Sequence, residues 1–212
     1  MTLNRRQFLG VVIMSNAIPA QGGGAIALPP PQTTGTVPLM QALRTRRSTR
    51  EFSPRPLPRE LLSTLLWSAF GVNRPDTGGR TAPSAHNWQE IDVFVALADG
   101  TFRYDARSHA LQRVVGDDLR AATGMQDFVG TAPLNLVYVA DTAKMIDASP
   151  EDRTFYASAN AGFVAQNVYL FCAAAELACV VRGLVDRSRL APALKLRVDQ
   201  RIVLAQTVGY AK

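Results

Sequence analysis

From Phe155 to about Ala178 the chain runs as one long, alanine-rich apolar stretch, and no other segment limits the fold so strongly. Its length and near all-round apolarity predict a central buried helix, because a helix apolar on every side must be covered by its neighbours. With 212 residues there is room for one domain with a sizeable core, and not for two comfortable ones. The two cysteines, Cys172 and Cys179, both fall inside this stretch. Seven residues apart on one helix, their α-carbons lie about 10 Å apart, too far for a disulfide. They are expected as buried small apolar residues, with no histidine nearby to make a metal site.

The surrounding pattern supplies the other elements. Leu39, Met40, Ala42 and Leu43 fit one face of a short helix. Pro58 suits a first helical position, and Leu61, Leu62, Leu65, Leu66 and Ala69 recur with helical spacing up to Gly71. Residues 73–83 read as a polar loop. Ile91–Leu97 has strand composition, and Asp99-Gly100 turns it into Thr101–Tyr104 as a hairpin. Short helices are predicted over 117–123 and 189–194, and further strands over 134–140 and 201–209. That order gives α+β: an antiparallel-rich sheet flanked by helices.

The N-terminus resembles a twin-arginine export signal. Arg5-Arg6 is followed by Phe8, an apolar run from Leu9 to Met14 and the small-x-small sequence Ala25-Ile26-Ala27. The apolar run is too short to span a bilayer, so no permanent membrane anchor is expected. Residues 1–27 are read as the signal, 28–38, with three successive prolines, as an extended linker, and 39–212 as the folded domain. Export of a folded passenger to the periplasm fits a cofactor acquired beforehand. Net charge is +6; without Arg5 and Arg6, 21 basic residues face 17 acidic ones. This modest excess suits an anionic small molecule, and no basic stripe interleaved with aromatics points to nucleic acid.

Two patches carry the chemistry. Arg46-Arg47-Ser48-Thr49-Arg50 sets three guanidiniums and hydroxyls within five residues. Arginine forks match the oxygens of a phosphate monoester bidentately, and a hydroxyl adds a donor. Pro83-Ser84-Ala85-His86-Asn87-Trp88-Gln89 offers amides that both donate and accept. Together they suit a phosphorylated, planar, hydrogen-bonding ligand such as flavin mononucleotide (FMN).

A third motif makes a family recognisable. Ala161–Leu170, continuing through Ala173–Leu177, resembles the central helix of nitroreductase-type flavoenzymes. The segments Arg46–Phe52 and Pro83–Gln89, Ala132-Pro133 before a strand, and Thr207–Tyr210 at the end follow in the family's order. The resemblance implies an intertwined homodimer with FMN at the subunit interface. It implies that Arg46, Arg47, Ser48 and Arg50 hold the phosphate and ribityl chain, and that Pro83, Ser84, Ala85 and Asn87 approach the ring from the other subunit. It sets Gln126 on the pyrimidine side, and runs Val181, Arg182 and Gly183 along the ring with a backbone N–H facing it. Arg182 stands where several relatives carry an acid, and the chain ends at Lys212 without the extension that wraps the partner in many of them. The implied activity passes hydride from a reduced donor such as NAD(P)H to a nitroaromatic, quinone or related acceptor, with the flavin rather than a side chain doing the chemistry. Two alternatives share the fold: a dehydrogenase oxidising azoline rings in peptides, and an exported electron-relay protein.

Overall fold

Strand and helix boundaries in this computed structural model follow the sequence pattern closely; it describes residues 24–35 and 37–212. In chain order these are β1 (Ala25–Ala27), α1 (Leu39–Thr45), α2 (Arg59–Phe70), β2 (Val72–Arg74), β3 (Gly79–Arg80), β4 (Ile91–Leu97), β5 (Gly100–Asp105), β6 (Ala110–Val115), β7 (Leu134–Asp141), α3 (Pro150–Ala174), β8 (Ala178–Arg182), α4 (Arg187–Ala193) and β9 (Gln200–Gly209). Seven strands form one sheet in the order β1-β6-β5-β4-β7-β9-β8, and every neighbouring pair is antiparallel. The expected α+β class is the observed one.

Alternation along the strands sends side chains to two faces. Val93, Val95, Phe102, Leu136 and Tyr138 meet Leu62, Leu65 and Leu66 of α2 and Ala161, Val164 and Val168 of α3. On the other face Phe94, Val137, Val139 and Ile202 are covered by Leu190 and Leu194 of and beside α4. Leu65 and Leu66 are fully buried, and each such side chain contributes roughly 2 kcal/mol by leaving water.

The apolar stretch behaves differently from its reading as one buried helix. α3 begins at Pro150, where the Ser149 side chain caps it by accepting the Asp152 N–H at 3.1 Å, and it ends at Ala174. Glu176 then takes a positive φ of 56° and the chain turns into β8. Cys179 therefore lies on a strand and not on the helix with Cys172; both are buried and free. Burial pushes the Cys172 thiol pKa well up. Only one face of α3 enters the core. Phe155 and Phe163 on the other face are 64% and 47% exposed, and Leu39, Met40 and Leu43 of α1 are exposed as well. The stretch is apolar all round because its second face is apolar too.

The export-signal motif around Arg5-Arg6 lies outside the described residues. Its small-x-small end does not: Ala25–Ala27 is β1, paired with 110–112 at the sheet edge. Residues 28–35, expected as a free linker, are instead strapped to the domain. Leu28 is buried, its N–H donates to His109 O at 3.0 Å, and the Gln32 N–H donates to Thr64 Oγ1 at 3.0 Å. The Pro29 carbonyl accepts from Ser63 Oγ at 2.5 Å, and Ser63 Oγ lies 2.7 Å from His109 Nε2. Tyr104 Oη completes the chain 2.9 Å from His109 Nδ1. The ordered fold thus starts upstream of Leu39.

Candidate functional site

The arginine cluster begins where α1 stops. Arg46 leaves helical geometry at φ −54°, ψ 124°, so the next residues run extended. They pass beside the free edge of β8, where the Thr49 N–H donates to Cys179 O at 2.9 Å. Tyr169, on the last turns of α3, fastens the two segments. Its hydroxyl lies 2.7 Å from Ser48 Oγ and accepts the Val181 N–H at 2.9 Å. The Arg46 guanidinium sits 5.2 Å from the Tyr169 ring centroid. Arg46 is half-buried, Arg47 and Arg50 are exposed, and none of the three forms an ion pair among the described residues. A groove of about 610 Å³ adjoins Arg44, Arg46, Arg47, Thr49 and Tyr169. Clustered cations without carboxylate partners are the donor set a phosphate dianion needs.

Val181, Arg182 and Gly183 sit at the end of β8, within reach of the same Tyr169 anchor, but they differ in what they offer. The Val181 N–H is spent on Tyr169. Gly183, just past the strand, is exposed, and its N–H finds no acceptor among the described residues. Arg182 departs from its expected place beside a ring. Strand alternation turns its side chain inward, where Nε donates to Thr207 Oγ1 at 3.1 Å, Nη1 to Thr123 O at 2.8 Å and Nη2 to Asn135 Oδ1 at 3.1 Å. These partners are neutral, so burial pulls the Arg182 pKa down to about 10; it still carries its charge at neutral pH. Gly124 abuts it so closely that a Cβ there would fall 1.8 Å from Nη1.

Gln126 shares this neighbourhood. The Met125 N–H donates to Leu184 O at 3.3 Å, which ties the 124–126 turn to the chain just after Gly183. The Gln126 Oε1 is buried without a hydrogen-bond partner. An unspent backbone donor and an orphaned amide oxygen, both close to Arg182, are the complementary pair that a ring with alternating donors and acceptors would satisfy.

The loop 83–89 is held elsewhere. The Ala85 N–H donates to Asn160 Oδ1 at 3.3 Å, and Asn160 Nδ2 to the buried Glu90 Oε1 at 2.8 Å. Asn160 and Tyr169 are nine residues apart on α3, about 13 Å along its axis. One phosphate cannot touch both anchors. Within the loop the Gln89 N–H donates to Ser84 Oγ, and its side-chain amide donates to Asn87 Oδ1 and Gly78 O, so Gln89 holds the loop rather than a ligand. His86, Asn87 and Gln89 all have positive φ, and the His86 ring stacks 4.6 Å from Trp88. Pro83 and Asn87 are exposed, and Ser84 and Ala85 partly so.

Sequence reasoning missed Tyr169, Thr123, Asn135 and Thr207. Tyr169 was hidden by an apolar helix pattern; Asn135, inside an otherwise apolar strand, was the visible sign of a buried polar cluster. Among the described residues no group of three or more His, Cys, Asp or Glu could hold a metal ion, and no helix is long and apolar enough to cross a membrane.

Comparison with known proteins identifies the family and the fold. The family model described as the Nitroreductase family matches residues 43–210. A nitroreductase homologue of Methanocaldococcus jannaschii is 29% identical over 171 residues, covering 76% of this chain and 86% of that protein. A crystallised nitroreductase homologue of Ralstonia eutropha superposes with a TM-score of 0.85 at 49% identity, covering 89% of this chain and 90% of that one. A homologue from Desulfovibrio desulfuricans, crystallised in complex with FMN, shares the fold at 23% identity and a TM-score of 0.60, over 83% and 87% of the two chains.

Proposed function

The chain belongs to the nitroreductase family, a class of FMN-dependent oxidoreductases, and from that premise we propose that it passes reducing equivalents from NAD(P)H to a nitroaromatic, quinone or related small acceptor. When bound, FMN supplies the hydride and electron chemistry, and the protein's part is binding and electrostatics. Arg46, Arg47, Ser48 and Arg50 would hold the phosphate and ribityl chain. The Gly183 N–H and Gln126 Oε1 would take the polar edge of the ring. The observation that carries this reading is the bond network through Tyr169, which brings the free guanidiniums to the strand end where Gly183 keeps an unspent donor.

Arg182 acts from beneath. A cation buried among neutral partners and charged at neutral pH would favour negative charge on a ring held near Gly183 and Gln126. Pro83, Ser84, Ala85 and Asn87 complete the site from a second copy of the chain. That second copy is supported by the apolar face left open by Phe155 and Phe163 of α3 and Leu39, Met40 and Leu43 of α1. The twin-arginine motif supports export to the periplasm with the cofactor already in place.

The test is direct. Purified untreated protein should be a yellow dimer whose flavin absorbance bleaches with NADH or NADPH and returns when a quinone or nitroaromatic is added. Colourless protein that takes up no FMN overturns the cofactor assignment; bleaching by dithionite but by neither nicotinamide overturns the donor.

A further inference from the structure

We propose that a second site, separate from the groove beside Tyr169, binds a phosphate group at the open end of the β4–β5 hairpin. A pocket of about 200 Å³ lies there, lined by Arg80, Arg103, Arg107 and Lys144 together with Asp92 and Asp105. It shares no lining residue with the groove beside Tyr169. Its volume is about a third of that of the groove beside Tyr169, a size that suits a compact oxyanion.

The charges do not cancel. Four cations face two carboxylates, and both carboxylates are already engaged. Asp92 pairs with Lys144 Nζ at 2.8 Å and accepts from Gln200 at 3.4 Å. Asp105 caps its own turn, accepting the Arg107 and Ser108 N–H groups, and receives Gln112 Nε2 at 3.1 Å; the turn hydrogen bonds hold its carboxyl below the usual range despite partial burial. Among the described residues none of the three arginines is within 4.0 Å of a carboxylate oxygen. Arg80 is the most constrained. It donates from Nε to Gln89 Oε1 at 2.9 Å and from Nη1 to Phe70 O at 3.1 Å, lies 5.2 Å from the Phe70 ring centroid, and has no acceptor for Nη2 among the described residues. Among the described residues Arg103 spends only Nη2, on Gln112 Oε1 at 2.6 Å, and the Arg107 guanidinium makes no hydrogen bond. Three guanidiniums converging on one partly enclosed space, with free N–H groups and, among the described residues, no carboxylate in ion-pair contact, are complementary to a phosphate.

The site also reaches the loop. Gln89, which takes the Arg80 Nε–H, is the residue whose amide and backbone N–H hold Asn87 and Ser84. A phosphate on Arg80 fixes that guanidinium and, through Gln89, stiffens the 84–89 loop.

The experiment uses FMN-loaded protein titrated with inorganic phosphate, followed by calorimetry and by melting temperature, with sodium chloride at matched ionic strength as control. Ribose 5-phosphate forms a second arm. Saturable phosphate binding is expected, weakened at least about tenfold in Arg103→Gln/Arg107→Gln with the FMN-to-protein ratio unchanged. Arg107→Gln alone, at an exposed position, keeps the test sound should the double variant fold poorly. Tighter binding of ribose 5-phosphate than of phosphate identifies a phosphomonoester as occupant, and equal binding identifies free phosphate. No response beyond that of chloride, unchanged affinity in both variants, or loss of binding in Arg46→Ala/Arg50→Ala instead, overturns the proposal.

Discussion

Tyr169 Oη lies 2.7 Å from Ser48 Oγ although 121 residues separate the two in sequence. The same oxygen accepts the Val181 N–H at 2.9 Å, so one phenol joins the segment proposed to hold the phosphate to the strand that would run along the ring. Tyr169→Phe keeps the packing and removes both bonds. A hydrogen bond of this kind is worth about 1 kcal/mol, so FMN affinity should fall roughly fivefold to thirtyfold and the melting temperature by a few degrees. Fluorescence titration of the apoprotein with FMN measures it.

Loss of the paired cations should be selective for the phosphate. Arg46→Ala/Arg50→Ala removes charge-assisted bonds worth roughly 1.5–3 kcal/mol each, which predicts FMN binding weakened by at least about a hundredfold. Riboflavin lacks the phosphate and should bind both proteins alike; parallel titrations decide the matter.

Arg182→Met keeps much of the stem and takes the donor from Thr123 O and Thr207 Oγ1, while Asn135 Oδ1 keeps the Thr207 hydroxyl at 2.6 Å. Orphaning buried acceptors costs roughly 1–3 kcal/mol each, so thermal stability should drop by several degrees. The midpoint potential of bound flavin should also fall, because a buried positive charge has gone. Dye-linked potentiometry separates the second effect from the first.

The strap formed by residues 28–35 should depend on pH. Burial lowers the His109 pKa in the folded protein, so the unfolded chain takes up a proton more readily. Stability is therefore full above the unfolded value of about 6.5 and is lost as pH falls from there through the folded-state pKa. Protection of the Leu28 and Gln32 amides, measured relative to intrinsic exchange at each pH, should fall over that range. In His109→Gln the slope should flatten.

Phe163 is 47% exposed at the middle of the open face of α3. Phe163→Glu should yield a monomer by light scattering, with FMN lost in the same step because the 83–89 loop no longer reaches its site. A variant that remains dimeric and yellow rules this face out as the interface.

Much of this architecture was legible in the residues. Helical spacing from Leu61 to Ala69, the Asp99-Gly100 turn and the apolar runs at 91–97 and 134–140 each had a local cause, and the structure keeps them. β6 was not legible: Ala110–Val115 alternates too weakly to stand out, and its strand state comes from pairing with β5. The apolar stretch misled at its end because Glu176 and the positive φ there break a helix that composition alone would extend through Cys179. Arg46–Arg50 was visible as a charge cluster, whereas the roles of Tyr169 and Arg182 depend on which way their side chains point, and that is set by neighbours distant in sequence. Linker composition likewise hid the strap, since prolines favour an extended chain without saying whether something binds it.

β1 sets strand pairing at the sheet edge against the expectation of cleavage after Ala27. A processing protease needs the chain on both sides of its scissile bond extended and unpaired, yet Ala25–Ala27 is hydrogen-bonded to β6. Cutting after Ala27 and completing the seventh strand therefore exclude each other. Removal of residues 1–27 would take β1 with it and leave β6 as the bare rim of the sheet.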